Sequence, residues 1–363
     1  MSTLIVNSLR STTASSDGLT LDGSGNITVP GNISVTGSLS AANFSNRNLI
    51  INGAMQVAQR GTSSTSTGYQ TVDRFTMYHG GHDEAPTYSQ ADVASGTTPY
   101  TLGFRKCLKI TNGNQTSGAG AGDEIQCDYV IEAQDIANSG WDYTSASSYV
   151  TLSYWVKSSV AQEFKGHVYT KDGTQQNYPF SLGSLSADTW TKITKKIPGN
   201  SNIQVDNNNS SGLDISLFSQ MGTNMTGSVT ENTWAAWSAS TRTPDQTLTF
   251  WTTNDATFEI TGVQLEVGST ATEFEHKSYG DELARCQRYY TENSKLLYLT
   301  QYSSHAIANI FFPTTMRAAP TVAEKVNSGN LESTGQIGLN SFYMYKGSDT
   351  GTSGNGYTAS AEL

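Results

Sequence analysis

Charge is what this sequence has least of. Asp, Glu, Lys and Arg make up 14% of its 363 residues, against roughly 25% in an ordinary soluble domain. Ser, Thr, Asn and Gly fill the gap, a composition of strands and tight turns rather than of long helices. Positive charge is the scarcer sign: 21 Lys and Arg stand against 31 Asp and Glu, for a net charge of −10. Phosphate binding needs clustered Lys and Arg, so no nucleic-acid partner is expected. An anionic polysaccharide would approach against the net field unless cations bridge it.

Cysteine is sparse and oddly numbered. Cys107, Cys127 and Cys286 are widely spaced, which gives neither a disulfide framework nor a zinc pattern. Free thiols fit assembly in a reducing cytosol. Long apolar runs are missing too. The opening MSTLIVNSLRST has no extended apolar stretch, so it is not read as a signal peptide. Nothing approaches the ~20 apolar residues that span a bilayer, and no membrane insertion is expected. Asn-x-Ser/Thr triplets at Asn32, Asn114 and Asn224 are read as chance without a secretory signal.

What is present begins with a repeat. Residues 1–46 hold one aromatic, Phe44, and three hexads: GNITVP at 25–30, GNISVT at 31–36 and GSLSAA at 37–42. Each is a turn followed by a short strand with two apolar residues on one side. So few copies cannot bury that side within one chain. Three chains around one axis would share a core, which makes this segment a trimerising element; the competing reading is a flexible, strand-prone linker.

Residues 47–276 read as an antiparallel β-sandwich. RNLIINGAMQ at 47–56 looks like its first strand, ending in an Asn-Gly turn. Further strands are expected at 72–78, 106–111, 124–131, 149–157, 163–169, 190–197, 213–218 and 248–251. Many short strands without βα alternation indicate a sandwich. In YVTLSYWVK (149–157), Val150, Leu152, Tyr154 and Val156 form one face and Thr151, Ser153, Trp155 and Lys157 the other. The closing strand, at 257–267, keeps Phe258, Ile260, Val263, Leu265 and Val267 on one side only if a bulge sits at Thr261–Gly262. Ser278-x-x-Asp281 then has the spacing of a helix capping box, followed by Leu283, Cys286 and Tyr290 at helical spacing. Residues 277–292 are therefore a helical connector, and 293–363 a small β domain whose turn-rich end is disordered alone or ordered by a partner chain. The fold class is all-β: an interchain β-repeat segment, a central jelly-roll sandwich, a connector helix and a C-terminal β domain.

These blocks resemble a known family. NLIINGAM at 48–55, Asp73-Arg74-Phe75, GVQLE at 262–266, YGDELARCQRYY at 279–290 and MRAAPTV at 316–322 are similar, in this order, to segments of bacteriophage tail fibre and related tail proteins. The resemblance covers about residues 47–322. It implies a virion component, commonly a homotrimer, held to other tail proteins through its N-terminus. Such a protein is assembled in the host cytoplasm and meets a host surface polysaccharide or lipopolysaccharide with its other end. More loosely, VTLSYWVK (150–157), WTKITKKI (190–197) and FEITGVQLE (258–266) resemble carbohydrate-binding jelly rolls.

Sugar sites stack pyranose rings on aromatics beside amides and carboxylates. The chain has 18 Tyr and 6 Trp. The glycan-binding candidates are Trp155 on the non-core face of its strand, Trp234 and Trp237 in ENTWAAWSAS, and Trp141 and Tyr143 in SGWDYTS. The bland alternative is that these rings plug the sandwich ends or pack on a neighbouring chain; Trp190 is read as core. His79, His82 and Asp83 form the densest set of metal-ligand types, in what reads as an ordinary solvated loop. A structural calcium ion, held by loop oxygens, is the one cofactor the family resemblance makes reasonable. No local pattern announces a nucleophile. Gly118-Ala-Gly-Ala-Gly122 lacks the Lys and the strand–helix frame of a phosphate loop. The expected function is a non-enzymatic adhesin that gains strength from three-fold avidity. The competing readings are a structural spacer or docking module and a polysaccharide depolymerase.

Overall fold

A computed structural model of the chain describes residues 8–9, 19–21, 23, 27–29, 46–293, 300–302, 305–325, 333–347 and 356–363. The chain forms two compact units, Met1–Phe44 and Ser45–Leu363. In the first, β1 (Ser8–Leu9), β2 (Leu19–Leu21) and β3 (Ile27–Thr28) pair antiparallel as one small sheet. Thr20 Oγ1 donates to Thr28 O at 3.5 Å, while Ile27 of the first hexad is 60% exposed. The hexads at 31–42 lie outside the described residues.

The second unit is a jelly-roll sandwich followed by smaller sheets. Its strands are β4 (Ser63–Ser64), β5 (Phe75–Gly80), β6 (Thr87–Asp92), β7 (Lys106–Thr111), β8 (Glu124–Glu132) and β9 (Tyr149–Ser158). They continue with β10 (Gln162–Thr170), β11 (Gln176–Leu185), β12 (Thr191–Pro198), β13 (Ser211–Met221), β14 (Ala235–Ala236) and β15 (Thr257–Val267). One sheet runs β14-β11-β10-β13-β8-β5 and the other β12-β9-β15-β7-β6-β4. The core lies between them. On β9 Val150, Leu152, Tyr154 and Val156 are all buried in it, as period-two alternation requires. Phe164, Phe218, Phe250 and Phe258 fill its centre, with ring centroids 4.4 to 6.0 Å apart, each such ring contributing about 1.5–3 kcal/mol by leaving water.

The bulge expected at Thr261–Gly262 is present. The register of β15 on β9 shifts between Thr261 and Gln264, and Phe258, Ile260, Val263 and Leu265 all reach the core. Gly262 has φ +65°, and a Cβ there would meet the Phe104 ring at 2.6 Å.

Residues 47–56 are not a strand. Asn52 and Met55 both have positive φ, which breaks an extended ladder, and residues 51–54 form a turn. Side chains replace the missing ladder. Asn48 Nδ2 donates to Val263 O at 3.1 Å, and its Oδ1 accepts from Leu265 N at 3.1 Å. Residues 248–251 are not a strand either: Thr249–Thr252 is a helical turn, in which Thr253 Oγ1 donates back to Thr249 O at 2.7 Å. It buries two consecutive residues, Phe250 and Trp251, which a half-buried strand with alternating faces does not do.

The Ser278 cap is as expected: its hydroxyl accepts from Asp281 N at 3.2 Å, and the helix spans Tyr279–Gln287. The helical reading ran too far, because β16 begins at Tyr290 (Tyr290–Asn293). Beyond it come β17 (Thr300–Tyr302), β18 (His305–Phe311), β19 (Thr321–Glu324), β20 (Ser333–Gly335), β21 (Ser341–Gly347) and β22 (Tyr357–Ser360). The sheet orders are β16-β22-β19 and β17-β18-β21-β20. For the turn-rich end the sequence leaves two readings, disorder alone or order from a partner chain; residues 348–355 of it lie outside the described residues, and 357–360 follow neither reading. Instead β22 is the central strand of its sheet, paired on both sides within this chain, and it buries Tyr357 and Ala359. Residues 296–300, which read as a strand from their sequence, lie outside the described residues except for Thr300.

Candidate functional site

The outer face of the first sheet carries the best-developed site. Alternation sorts its strands. On β8, Ile125, Cys127, Tyr129 and Ile131 point into the core, which turns Glu124, Gln126, Asp128 and Val130 outward. On β5 the outward residues are Thr76 and Tyr78, on β10 His167 and Tyr169, and on β13 Asp214. The pairing places Thr76, Asp128, Ser216 and His167 on one rung across four strands. Val130, Asp214 and Tyr169 share the next outward rung.

A wall is added by the segment after β14. Trp237 N donates to Gln175 O at 2.9 Å, which holds that residue beside the sheet. Trp237 and Arg242 then complete a groove of about 380 Å³ with Tyr78, His167, Tyr169, Lys171 and the acidic side chains. Its rings form one stack. His167 lies on Tyr169 with centroids 5.7 Å apart and planes 28° from parallel, and Tyr169 lies on Trp237 at 5.9 Å and 29°. Tyr78, 51% exposed, stands at the rim.

The polar groups are unusually available. Among the described residues thirteen buried side-chain N or O atoms lack a hydrogen-bond partner. Five belong to residues of this groove: Asp128 Oδ1, His167 Nδ1, Asp214 Oδ1, Trp237 Nε1 and Arg242 Nε. Each such atom costs about 1–3 kcal/mol while unpaired. Together they offer two N–H donors and several acceptors to a bound molecule.

Burial biases several groove side chains towards their neutral forms. Burial, reinforced by Asp214, holds the Asp128 carboxyl well above the usual carboxylate range. Burial raises Asp214 as well, opposed by Lys171, whose Nζ is 3.4 Å from Asp214 Oδ2 and 4.3 Å above the Tyr169 ring. Arg242 Nη1 pairs with Glu124 Oε2 at 3.3 Å. Burial, and then Arg242 and Lys171, push His167 down to about 3, so its imidazole is neutral at physiological pH. A face of stacked rings, a carboxyl that burial biases towards its neutral form and self-paired charges suits hydroxyl-bearing ligands better than ions.

Of the five aromatic candidates only Trp237 belongs to this groove. Trp155 is half-buried on the outer face of the other sheet, beside Phe104 and Phe274. Trp234, 9% exposed, packs on Tyr178 with centroids 5.2 Å apart, and its Nε1 donates to Pro198 O at 2.7 Å. It borders a separate hollow of about 420 Å³ with Gln176 and Ala236. Trp141 is a core residue, 3% exposed, and Tyr143 packs edge-on against it at 6.3 Å. Trp190 is half-buried at the surface, with Lys157 Nζ 5.4 Å from its ring, not in the main core.

His79 belongs to the end of β5 rather than to a loop. It meets His82, Nδ1 to Nδ1 at 3.3 Å, but Asp83 turns away to accept from Ser117 N and Oγ, both at 2.7 Å. Among the described residues no three His, Cys, Asp or Glu side chains converge as a metal site requires. No described helix is long and apolar enough to cross a membrane.

Sequence reasoning missed Tyr169, His167, Asp128 and Asp214. The available signal was the alternation on β8, β10 and β13, which puts all of them on one face.

Three of the blocks that carry the family resemblance, at 48–55, 73–75 and 279–290, meet elsewhere, in a buried polar junction. Asn52 Nδ2 donates to Val57 O and Asp73 O at 2.9 and 3.0 Å. Arg74, almost fully buried, pairs with Glu362, donates to Val130 O at 2.7 Å, and lies 3.5 Å from the Tyr289 ring centre. Tyr289 O–H in turn hydrogen-bonds the buried Glu132 carboxylate.

No family model and no curated protein matches the chain. Solved structures do. The enzymatically active domain of tailspike protein 4 from bacteriophage CBA120 is 12% identical over 61% of this chain and 22% of that one, with a TM-score of 0.33. A family 4 carbohydrate-binding module is 13% identical over 60% of this chain and 98% of its own, at 0.31. The N-terminal cellulose-binding domain of β-1,4-glucanase C from Cellulomonas fimi is 12% identical over 60% of this chain and 99% of its own, at 0.28. The jelly-roll assignment of this chain rests on its own sheet order and alternation.

Proposed function

We propose that this protein is a bacteriophage tail adhesin that binds a host surface glycan through the outer-face groove of its first sheet, without a chemical step. The observation that carries glycan binding is the His167–Tyr169–Trp237 stack set beside five buried polar atoms with no partner among the described residues. Rings take the apolar face of a sugar, and the flanking N–H and carboxyl groups take its hydroxyls. The tail assignment is supported by the ordered blocks at 48–55, 73–75, 262–266, 279–290 and 316–322. A homotrimer is supported by the short hexad repeat and by the exposed Ile27, and it would turn weak single-site contacts into avid ones.

A second reading is favoured by one observation. Three of the five resemblance blocks supply the junction around Arg74 and Asn52 rather than the groove, as expected if what the family shares is a docking scaffold.

The test is saturable binding of the purified protein to a panel of bacterial surface polysaccharides and lipopolysaccharides, with Trp237→Ala as comparison. Binding to at least one, lost in the variant, supports the adhesin. No binding to any removes the groove and leaves the docking scaffold, and binding that ignores Trp237 removes the groove alone. Reducing ends released during incubation would overturn the non-catalytic part.

A further inference from the structure

The opposite face of the sandwich holds a second, smaller cavity that the groove does not use. On β9 the outward residues are Ser153 and Trp155. Lys192 of β12 pairs directly across from Trp155, and Thr261 of β15 flanks it on the other side. The bulge at Gly262 removes a side chain beside Trp155, and the Phe104 ring settles against that bare backbone. Phe274, from the loop after β15, packs edge-on to Phe104 with centroids 4.9 Å apart. The result is a cavity of about 210 Å³ walled by Trp155, Phe104 and Phe274, with the Ser153 hydroxyl, the Lys192 ammonium and the Glu273 carboxylate on its lining.

Size and charge narrow what fits. Ligand pockets for drug-sized molecules run to about 300–1,000 Å³, so this one takes a single ring rather than an oligosaccharide. The three aromatic walls demand an apolar face on the ligand. Among the described residues neither Lys192 nor Glu273 forms an ion pair, so Lys192 disfavours a cation and Glu273 an anion. Opposite charges at one rim suit a neutral molecule whose hydroxyls both donate and accept.

We propose that this cavity is a second glycan subsite, which takes one neutral pyranose unit against Trp155, so that a single chain engages sugar on both faces of its sandwich. The choice of ligand class rests on the glycan-binding reading of the groove, but the site itself does not share a residue with it.

Saturation-transfer NMR on the full chain tests this with free monosaccharides: glucose, galactose, rhamnose, N-acetylglucosamine and, as the anionic control, glucuronate. The Trp237→Ala variant disables the groove. In that background at least one neutral sugar is expected to keep its signal, and adding Trp155→Ala is expected to reduce it at least about fivefold. If Trp155→Ala fails to fold, Lys192→Glu on the exposed rim replaces it, with the same loss expected. Signal abolished by Trp237→Ala alone overturns the second subsite while the groove stands. Signal absent from every protein, although polysaccharide binding through Trp237 is seen, overturns it too. Signal that depends on Trp155 but ignores Trp237 keeps this subsite and removes the groove. A preference for glucuronate at the Trp155 site overturns the neutral class.

Discussion

Trp237 stacks on Tyr169 with ring centroids 5.9 Å apart and planes 29° from parallel. The two residues come from different parts of the chain, a loop beyond β14 and the strand β10. Their pairing makes a platform that neither forms alone. Trp237 is half-exposed and not part of the main core. Trp237→Ala is therefore expected to weaken glycan binding by about tenfold or more while shifting the melting midpoint by no more than a few degrees. Calorimetric titration with the polysaccharide that binds wild type, beside a melting curve, checks both. A large loss of stability would mean that the indole is structural.

His167 gives the groove a pH signature. Its folded value is depressed to about 3 by burial and by the nearby Arg242 and Lys171, while an unfolded His titrates near about 6.5. The unfolded state thus binds the extra proton first. Stability from the neutral imidazole is fully present above about pH 6.5 and is lost as pH falls towards 3. Asp128 works the other way, because its folded value is raised: its contribution is present below the unfolded carboxyl value and is lost as pH rises. Urea unfolding between pH 7 and 4 is expected to show a decline in wild type that is shallower in His167→Gln. Equal slopes would contradict the assignment of the decline to His167.

Parts of this fold were legible because a local rule had to be obeyed. The phase slip at Gly262 and the cap at Ser278 each follow from spacing alone, and both stand where expected. The groove was not legible, because its residues read singly as polar surface. Asp128 and Asp214 become neighbours only through the β8–β13 register. Tryptophan content misled for a related reason. Trp141 sits in a turn-rich stretch that reads as solvent-exposed, yet it plugs the core. Residues 248–251 carry strand-like Thr, Phe and Trp, and only the burial of two consecutive rings forces the helical turn.

Gly262 ties the fold to the second cavity. Its φ is +65°, and an added Cβ would fall 2.6 Å from Phe104. Both the left-handed backbone and the ring contact oppose a side chain. Gly262→Ala is expected to cost about 2–3 kcal/mol and to displace Phe104 from the wall beside Trp155. Chemical denaturation measures the first and near-ultraviolet circular dichroism the second. A neutral substitution would mean that the bulge relaxes without the glycine.

Arg74 separates backbone strain from side-chain pairing at the junction. It has φ +74°, a conformation that costs a non-glycine residue of order 1–3 kcal/mol. The position is held by the pair with Glu362, the hydrogen bond to Val130 O and the Tyr289 ring beneath the guanidinium. Breaking a buried pair from one side costs about 3–5 kcal/mol, although Arg60 Nη2, 3.1 Å from Glu362 Oε1, leaves that carboxylate partly compensated. Arg74→Ala is therefore expected to lose about 3 kcal/mol, near the lower end of that range. Arg74→Gly removes the same side chain and also the strain, so it is expected to be the more stable of the two by about 1 kcal/mol. The order is the opposite of that for an ordinary helix or strand position, where Gly is worse than Ala. Equilibrium urea unfolding of the two variants reads the difference directly. If Arg74→Gly is the less stable, the positive φ is not held against strain, and the junction owes its geometry to the turn at Asn52 instead.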